Sequence, residues 1–419
     1  MNILLINNKH WARGGADVVY LNTIKMLHNH GHQVSSLSSY SEKNEYFPIR
    51  SYFIKDVNFF SNNFFYRIKN TFRFFYSKES KRVIKHIIET EKPEIIHIHL
   101  YKSIITSSIL NEIKKSQIPV ILTLHDYGLL CPHNLLLDGE NKICEQCLKI
   151  NPIMCLLKRC NRKKIIYSLI SYLEYIFNNN LYSPLKYFTT IITVSIFSLN
   201  LHNKYYPDEK NIFVHLYNFF EKSNFKSEIP KRGNYFLFYG RLAKEKGLRT
   251  LINTWIEFQI QSPLLIVGEG DEKESLEKVV KTNNNCGIQF LGYKKGNELL
   301  EIIDNASFII VPSEWYENNP LTIIESYSLG KPVICSDVGG IPEIVLNKET
   351  GFLFEMGSKT ALSKCIKDAE LLTDEQYFIM SKAALDFSEN HFSEEENYKK
   401  LLGIYNQAKI TKSLKNRHH

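Results

Sequence analysis

Phe308-Ile309-Ile310-Val311-Pro312-Ser313-Glu314-Trp315-Tyr316-Glu317-Asn318-Asn319-Pro320-Leu321-Thr322-Ile323-Ile324-Glu325 passes from an apolar run, through a polar turn, into a segment with helical spacing. A short apolar run bounded by turn residues reads as a buried strand. Pro320 suits the first turn of a helix, where a missing N–H leaves no bond unmade, and the helix is expected to continue through Leu329. A strand that hands over directly to a helix is half of a β-α-β unit, and repeated units make a parallel sheet with helices on both faces. Glu317 then stands at the strand exit and Glu325 about two turns into the helix. The peptide N–H groups within residues 318 to 321, Pro320 having none, lie at the helix start, where the macrodipole favours an anion such as phosphate. The flanking carboxylates suit hydroxyl groups.

The alternation extends in both directions. Residues 2 to 7 read as a strand, followed by a loop with Gly14-Gly15, an amphipathic helix from Ala16 to Asn29 ended by Gly31, and a strand over Gln33 to Leu37. Pro93 to His99 and Pro119 to His125 read as strands on either side of a helix from Ser103 to Lys115, and a further strand covers Ile212 to Leu216. The charged, turn-rich residues 221–233 read as a linker. Beyond it the pattern restarts, with strands at Tyr235–Tyr239, Leu264–Val267, Ile288–Leu291 and Val333–Cys335 beside Phe308–Val311. Two doubly wound α/β domains, residues 1–220 and 234–390, are therefore expected to face each other across a central cleft, since ligands of such sheets bind at the C-terminal strand ends. A last helix from Glu394 to Ala408, within residues 391–410, precedes a flexible tail over 411–419.

The chain has 419 residues, 44% of them hydrophobic, ample for two cores. No apolar run approaches the ~20 residues a spanning helix needs, and Met1-Asn2-Ile3-Leu4-Leu5-Ile6 reads as a first strand, which favours a cytoplasmic location. The net charge of +8 is uneven: 29 Lys and Arg face 18 Asp and Glu in residues 1–230, against 23 and 26 in 231–419. That excess suits an anionic partner on the N-terminal half, such as acidic lipid or lipid-linked pyrophosphate. No recognition helix, zinc finger or aromatic RNP pattern is present, so no nucleic-acid partner is expected.

The stretch quoted first continues as Ser326-Tyr327-Ser328-Leu329-Gly330-Lys331-Pro332-Val333-Ile334 and Gly339-Gly340-Ile341-Pro342-Glu343, and closely resembles the retaining glycosyltransferases of family four, also called glycosyltransferase group 1. The resemblance implies the GT-B fold, two Rossmann-like domains with a C-terminal helix crossing back to the first. It assigns Glu317 to the donor sugar, Glu325 to the ribose hydroxyls, and Asn318, Asn319, Pro320 and Leu321 to the donor-binding turn. Gly240-Arg241-Leu242-Ala243-Lys244-Glu245-Lys246-Gly247 resembles the family's pyrophosphate clamp, with Arg241 offering forked donors and Lys246 a point charge. Arg13-Gly14-Gly15-Ala16 matches the loop lining the cleft, where glycines let backbone approach the donor, and Val267-Gly268-Glu269-Gly270-Asp271 matches the loop near the base. His125, in Thr123-Leu124-His125-Asp126-Tyr127, matches the strand-end histidine that bonds the donor sugar. Of the two histidines on the preceding strand, His99 at its exit reads as a cleft residue and His97 as core. No nucleophile stands out, in keeping with front-face substitution in which the departing phosphate takes the acceptor's proton. The catalytic set expected is His125, Glu317, Arg241 and Lys246, with no metal cofactor required.

Cys131, Cys144, Cys147, Cys155 and Cys160 crowd an insertion at about 131–160. A Cys-x-x-Cys with further cysteines nearby fits a structural zinc held by Cys131, Cys144, Cys147 and Cys160, or by Cys155 in the last place; free thiols and a disulfide remain open. Residues 52–76 hold eleven aromatics among Lys55, Arg67, Lys69 and Arg73, with Phe64, Ile68, Phe72 and Phe75 on one helical face that suits either core or a lipid headgroup layer. Arg159, Arg162, Lys163 and Lys164 precede a second amphipathic stretch.

Together these features point to transfer of a sugar from a nucleotide diphosphate sugar to a saccharide or lipid-linked saccharide acceptor, in the making of a capsule, O-antigen or exopolysaccharide, on a protein peripheral to the inner face of the cell membrane. A nucleotide-sugar epimerase of the same fold and a catalytically silent binding subunit are the alternatives.

Overall fold

The computed structural model describes residues 1–56, 72–220, 231–283 and 287–417. Two parallel sheets organise it. The first joins β1 (Asn2–Ile6), β2 (Gln33–Ser39), β3 (Arg50–Ile54), β4 (Ile95–Ile98), β5 (Val120–Leu124), β6 (Thr190–Thr193) and β7 (Phe213–His215) in the order β3-β2-β1-β4-β5-β6-β7. The second joins β8 (Phe236–Tyr239), β9 (Leu264–Val267), β10 (Ile288–Gly292), β11 (Phe308–Val311), β12 (Val333–Ser336) and β13 (Gly351–Phe354) in the order β10-β9-β8-β11-β12-β13. Strand order reverses between β1 and β4 and again between β8 and β11, and such reversal points are where loops part and ligands enter.

Both faces of β1 are apolar because both are covered. In β1, Leu4 and Ile6 pack with Ile96, Ile98 and Leu122 on one side, while Ile3 and Leu5 pack with Ile95, Ile121, Leu401 and Tyr405 on the other. The helices used below are α1 (Gly15–Asn29), α2 (Lys78–Glu91), α3 (Leu110–Lys115), α4 (Ile165–Phe177), α5 (Ile196–Tyr205), α6 (Leu248–Glu257), α7 (Lys273–Thr282), α8 (Gly296–Asp304), α9 (Leu321–Ser328), α10 (Lys359–Glu370), α11 (Asp374–His391) and α12 (Glu394–Arg417). The chain recrosses to the first domain where Phe220 N donates to Phe392 O at 3.1 Å, and α12 then lays Leu401, Tyr405 and Ala408 into the core behind β1.

The expected pair of doubly wound domains is thus present, with two differences in detail. The helix expected over Ser103–Lys115 is shortened to a 3₁₀ turn at Ser107–Ile109 followed by α3, because Ser103 and Thr106 both take φ of +71°. The last helix runs to Arg417 instead of fraying at 411, since no glycine or proline interrupts its continuation. Most of the expected linker, residues 221–230, and Phe64, Ile68, Arg67 and Lys69 of the aromatic stretch lie outside the described residues.

Candidate active site

The loop after β8 meets the loop after β11, and glycine makes the meeting possible. Gly247 takes φ of +70°, and a β-carbon there would lie 1.8 Å from Pro312 O. This close approach brings Lys246 over the strand exit, where its Nζ donates to Glu317 Oε1 at 2.6 Å and sits 5.3 Å from the Trp315 ring centroid. Ser313 Oγ donates to the same carboxylate oxygen at 2.6 Å. Burial alone would raise the Glu317 carboxyl, but the Lys246 charge and the hydrogen bonds from Lys246 and Ser313 outweigh it and hold the group below the usual carboxylate range. Glu317 is therefore a buried anion, 3% exposed, at a sheet's C-terminal edge.

From behind, the Glu317 turn is backed by Gly339-Gly340. A β-carbon on Gly339 would stand 2.4 Å from Glu317 O and one on Gly340 2.0 Å from Asn318 O. The turn ends at Pro320, the N-cap of α9, which no side chain caps. Pro320 brings no N–H of its own, so the amides offered at this end are those of Asn318, Asn319 and Leu321. Glu325 follows on α9 beside Tyr239 of β8. Its carboxyl is pushed up to about 7 by burial, against which the Tyr239 hydrogen bond works only in part. Arg241 stands at the exit of β8 with its side chain 62% exposed and its guanidinium paired with Glu245.

The facing half comes from the first domain. Gly14 is the extended N-cap of α1, and a β-carbon on Gly15 would touch Leu321 Cδ1 at 3.7 Å, so this loop and the start of α9 face each other directly. His125 follows β5 and lines a cavity of about 270 Å³ with Arg13, Asp17, His99, Lys102 and Asp126. Burial depresses His125 to about 3 and pushes Asp126 up, while Lys102 Nζ donates to Gly128 O at 2.6 Å. The imidazole is neutral at pH 7, a hydrogen-bonding group without charge.

The structure joins Lys246 to Glu317, sets Gly15 against Leu321, and brings Asn318 Nδ2 to Leu124 O beside His125 at 3.4 Å, while Arg241 pairs with Glu245 and Glu325 is buried beside Tyr239. Several partners were missed, although their spacing was legible: Ser313 to Glu317 and Arg241 to Glu245 are each four apart. Others had no local signal. Ser195 Oγ donates to Asn318 Oδ1 at 2.6 Å, Asn218 N to Asn319 Oδ1 at 2.8 Å, and Ile196 N to both Glu343 oxygens at 3.0 and 2.9 Å, so side chains of the donor turn clasp the other domain.

The cysteine insertion packs beside this site, with Tyr316 donating to Glu145 at 3.2 Å. Its thiols are free, and among the described residues no three His, Cys, Asp or Glu side chains form a group that could hold a metal ion. Cys131, Cys144 and Cys160 nonetheless lie near enough to Cys147 for their thiolates to disfavour its ionisation. Cys147 Sγ also contacts Pro152 O at 3.7 Å, and Cys155 and Cys160 hydrogen-bond to each other. Burial pushes Cys131 up to about 11 and Cys147 up to about 12, which keeps both protonated at neutral pH.

Two facing Rossmann-like sheets of parallel strands are the GT-B arrangement. Residues 13–215 match the model of Glycosyltransferase Family 4 and residues 219–390 that of Glycosyl transferases group 1. The chain belongs to this family of group 1, family 4 glycosyltransferases. An uncharacterized glycosyltransferase of Methanocaldococcus jannaschii is 31% identical over 46% of the chain, a match that spans 53% of the relative. An uncharacterized 42.6 kDa protein in the cps region of Klebsiella pneumoniae is 23% identical over 82% of the chain and 87% of its own length. The structure also superposes on that of Anabaena HepE in complex with UDP-glucose, with a TM-score of 0.66 at 15% identity, covering 97% of this chain and 99% of the other.

Proposed function

We propose that the protein is a retaining hexosyltransferase that moves a sugar from a nucleotide diphosphate sugar, a UDP-sugar first among candidates, to a saccharide or lipid-linked saccharide in the synthesis of a surface polysaccharide. The observation that carries the reading is the Lys246–Glu317 pair set against the uncapped start of α9. Lys246 and Arg241 supply positive charge where a pyrophosphate leaves, and the amides of Asn318, Asn319 and Leu321 supply fixed dipoles, so neutralisation needs no metal. Glu317 offers a buried carboxylate to the sugar hydroxyls and Glu325 one to the ribose. The acceptor enters the cavity beside His125, and its hydroxyl attacks the face from which the phosphate departs, passing its proton to that phosphate. The UDP-glucose complex of HepE supports the donor class, and the position of the Klebsiella relative in a cps region supports the pathway.

The same reading places the protein on the inner face of the cell membrane. Among the described residues no helix is long and apolar enough to cross a membrane. Ile150, Leu157, Ile165 and Ile166 are nevertheless exposed by 55 to 67% close to Arg159, Arg162, Lys163 and Lys164, a composition that suits anionic lipid.

A thermal-shift screen of UDP, GDP, ADP and their sugars tests the donor, because a ligand at 100 times its dissociation constant stabilises by ~2.7 kcal/mol. Proton NMR of the fresh product, with the reaction run in excess chelator, tests the rest. A retained anomeric configuration without added metal is expected; an inverted linkage or strict dependence on magnesium or manganese overturns the mechanism.

A further inference from the structure

Three imidazoles stack in a file behind the cleft. His97 on β4 and His99 just past its end are two residues apart and so share a face of the sheet; His125 follows the neighbouring β5. Ring centroids of His97 and His99 are 4.5 Å apart at 28°, and those of His99 and His125 5.2 Å apart at 14°. His97 is held at both nitrogens, by Tyr405 of α12 and by Thr123, each at 2.7 Å. The edge of Tyr20 closes on His99 with centroids 5.6 Å apart. The ring of His99 is thus fixed in place, and its Nδ1 lies 2.9 Å from Nε2 of His125.

Two neutral imidazoles in contact share one proton, so one of them must donate it. The other nitrogen of His99, Nε2, is buried and meets no hydrogen-bond partner in the protein. Were His125 the donor, the proton of His99 would sit on that Nε2, a buried N–H with no acceptor, which is the costlier kind of orphan. Donation from His99 Nδ1 leaves only a lone pair there. We infer that His99 is a positioning residue that fixes His125 as its Nδ1–H tautomer, so that the ring nitrogen left for a ligand in the cleft is a hydrogen-bond donor and not an acceptor. A donor at this point suits an oxygen of the sugar or of the departing phosphate, and in that respect the inference rests on the proposed transfer reaction. His97, Thr123 and Tyr405 extend the same support back to the last helix.

The test reads the tautomer directly. Ring-nitrogen correlation spectra of 15N-histidine-labelled full-length protein, with the His125 signals assigned by their loss in His125→Asn, are expected to show a protonated Nδ1 and a bare Nε2. His99→Asn places an amide N–H near the lost Nδ1 and should keep that pattern, whereas His99→Phe should release His125 into the Nε2–H form. With the best sugar donor from the nucleotide-sugar screen, kcat in His99→Phe should fall about tenfold to 100-fold, as when the outer partner of a ligating histidine is lost, with KM for donor little changed and recovery in His99→Asn. An Nε2–H tautomer in the unaltered protein, or a tautomer that His99→Phe leaves unchanged, overturns the inference. If no sugar donor is turned over at all, the transfer reading fails while the spectra still decide the tautomer.

Discussion

Lys246 and Glu317 depend on each other, and this makes the pair a test of both stability and chemistry. The Lys246 side chain is 23% exposed and that of Glu317 5%, so removing the lysine strands a carboxylate that burial disfavours. Lys246→Ala is expected to cost about 3 kcal/mol in urea unfolding, the lower edge of the range for breaking a buried pair. Lys246→Ala combined with Glu317→Gln should recover most of that stability while sugar transfer stays about 100-fold to 1,000-fold down, since the charge facing the leaving phosphate is still missing. Recovery of transfer together with stability would mean that the pair only holds the loop. Glu325 supplies a second test through pH. Its folded pKa of about 7 lies above the ordinary carboxyl value of 4.5, so its contribution to stability is present below pH 4.5 and lost as pH climbs toward 7. Ribose hydroxyls, in contrast, donate best to the ionised form. UDP affinity measured by calorimetry should therefore strengthen from pH 6 to pH 8, and Glu325→Gln should flatten the rise. A pH-independent affinity in the unaltered protein would remove Glu325 from the ribose.

At the scale of elements, how legible a strand was depended on whether its neighbours announced it. β9 and β11 match the expected Leu264–Val267 and Phe308–Val311 at both ends, because each is an unbroken apolar run after or before a proline. β3 and β13 are edge strands, and β3 buries only Ile54, so neither carried a readable pattern; in β6, Thr190-Ile191-Ile192-Thr193, threonines at both ends cut the apolar run to two residues. The helix start at Pro320 was legible from proline alone, whereas the direction of a cysteine side chain is set by tertiary packing, which spacing does not encode. Packing also left the apolar α4 with only Ser168 buried. Arg159, Arg162, Lys163 and Lys164 before it each add about 1 kcal/mol toward an anionic surface at low salt, with Lys163 discounted because Glu140 stands 3.2 Å away. Replacing all four with glutamine should lower binding to phosphatidylglycerol-containing vesicles roughly 100-fold in sedimentation assays. Equal sedimentation of both proteins would take the membrane away from this element.

For the molecule as a whole, the question is what keeps two independent sheets at working distance. Covalent crossings at 217–220 and 392–397 are tied by Phe220 N to Phe392 O at 3.1 Å and by Asn397 Nδ2 to Tyr217 O at 2.7 Å, which gives a hinge with few degrees of freedom. Across the cleft mouth the closure rests on small polar groups: Ser195 on Asn318, Asn218 twice on Asn319, and Ile196 N on Glu343. These contacts involve the very turn that carries the donor-site amides, so closing the domains and shaping that turn are one event. Ser195→Ala with Asn218→Ala removes two side-chain hydrogen bonds that cross the cleft, each worth about 1 kcal/mol net, and together they shift a closed-to-open ratio by roughly 30-fold. Asn218 lies within the 217–220 crossing, but its side chain takes no part in the two hydrogen bonds that tie the hinge, and Ser195→Ala also removes the cap that Ser195 Oγ gives α5 at Ser198 N. Small-angle scattering of the double variant should show a larger radius of gyration than the unaltered protein, and saturating UDP-sugar should bring the two curves together, because a ligand that contacts both domains favours the closed form. The apparent KM for the donor should rise with the fraction of open molecules while kcat holds, since the closed state, once formed, is the same. Superimposable scattering curves without ligand would show that the cleft is held by the hinge and α12 alone, and that the asparagines of the donor turn serve only to order its backbone.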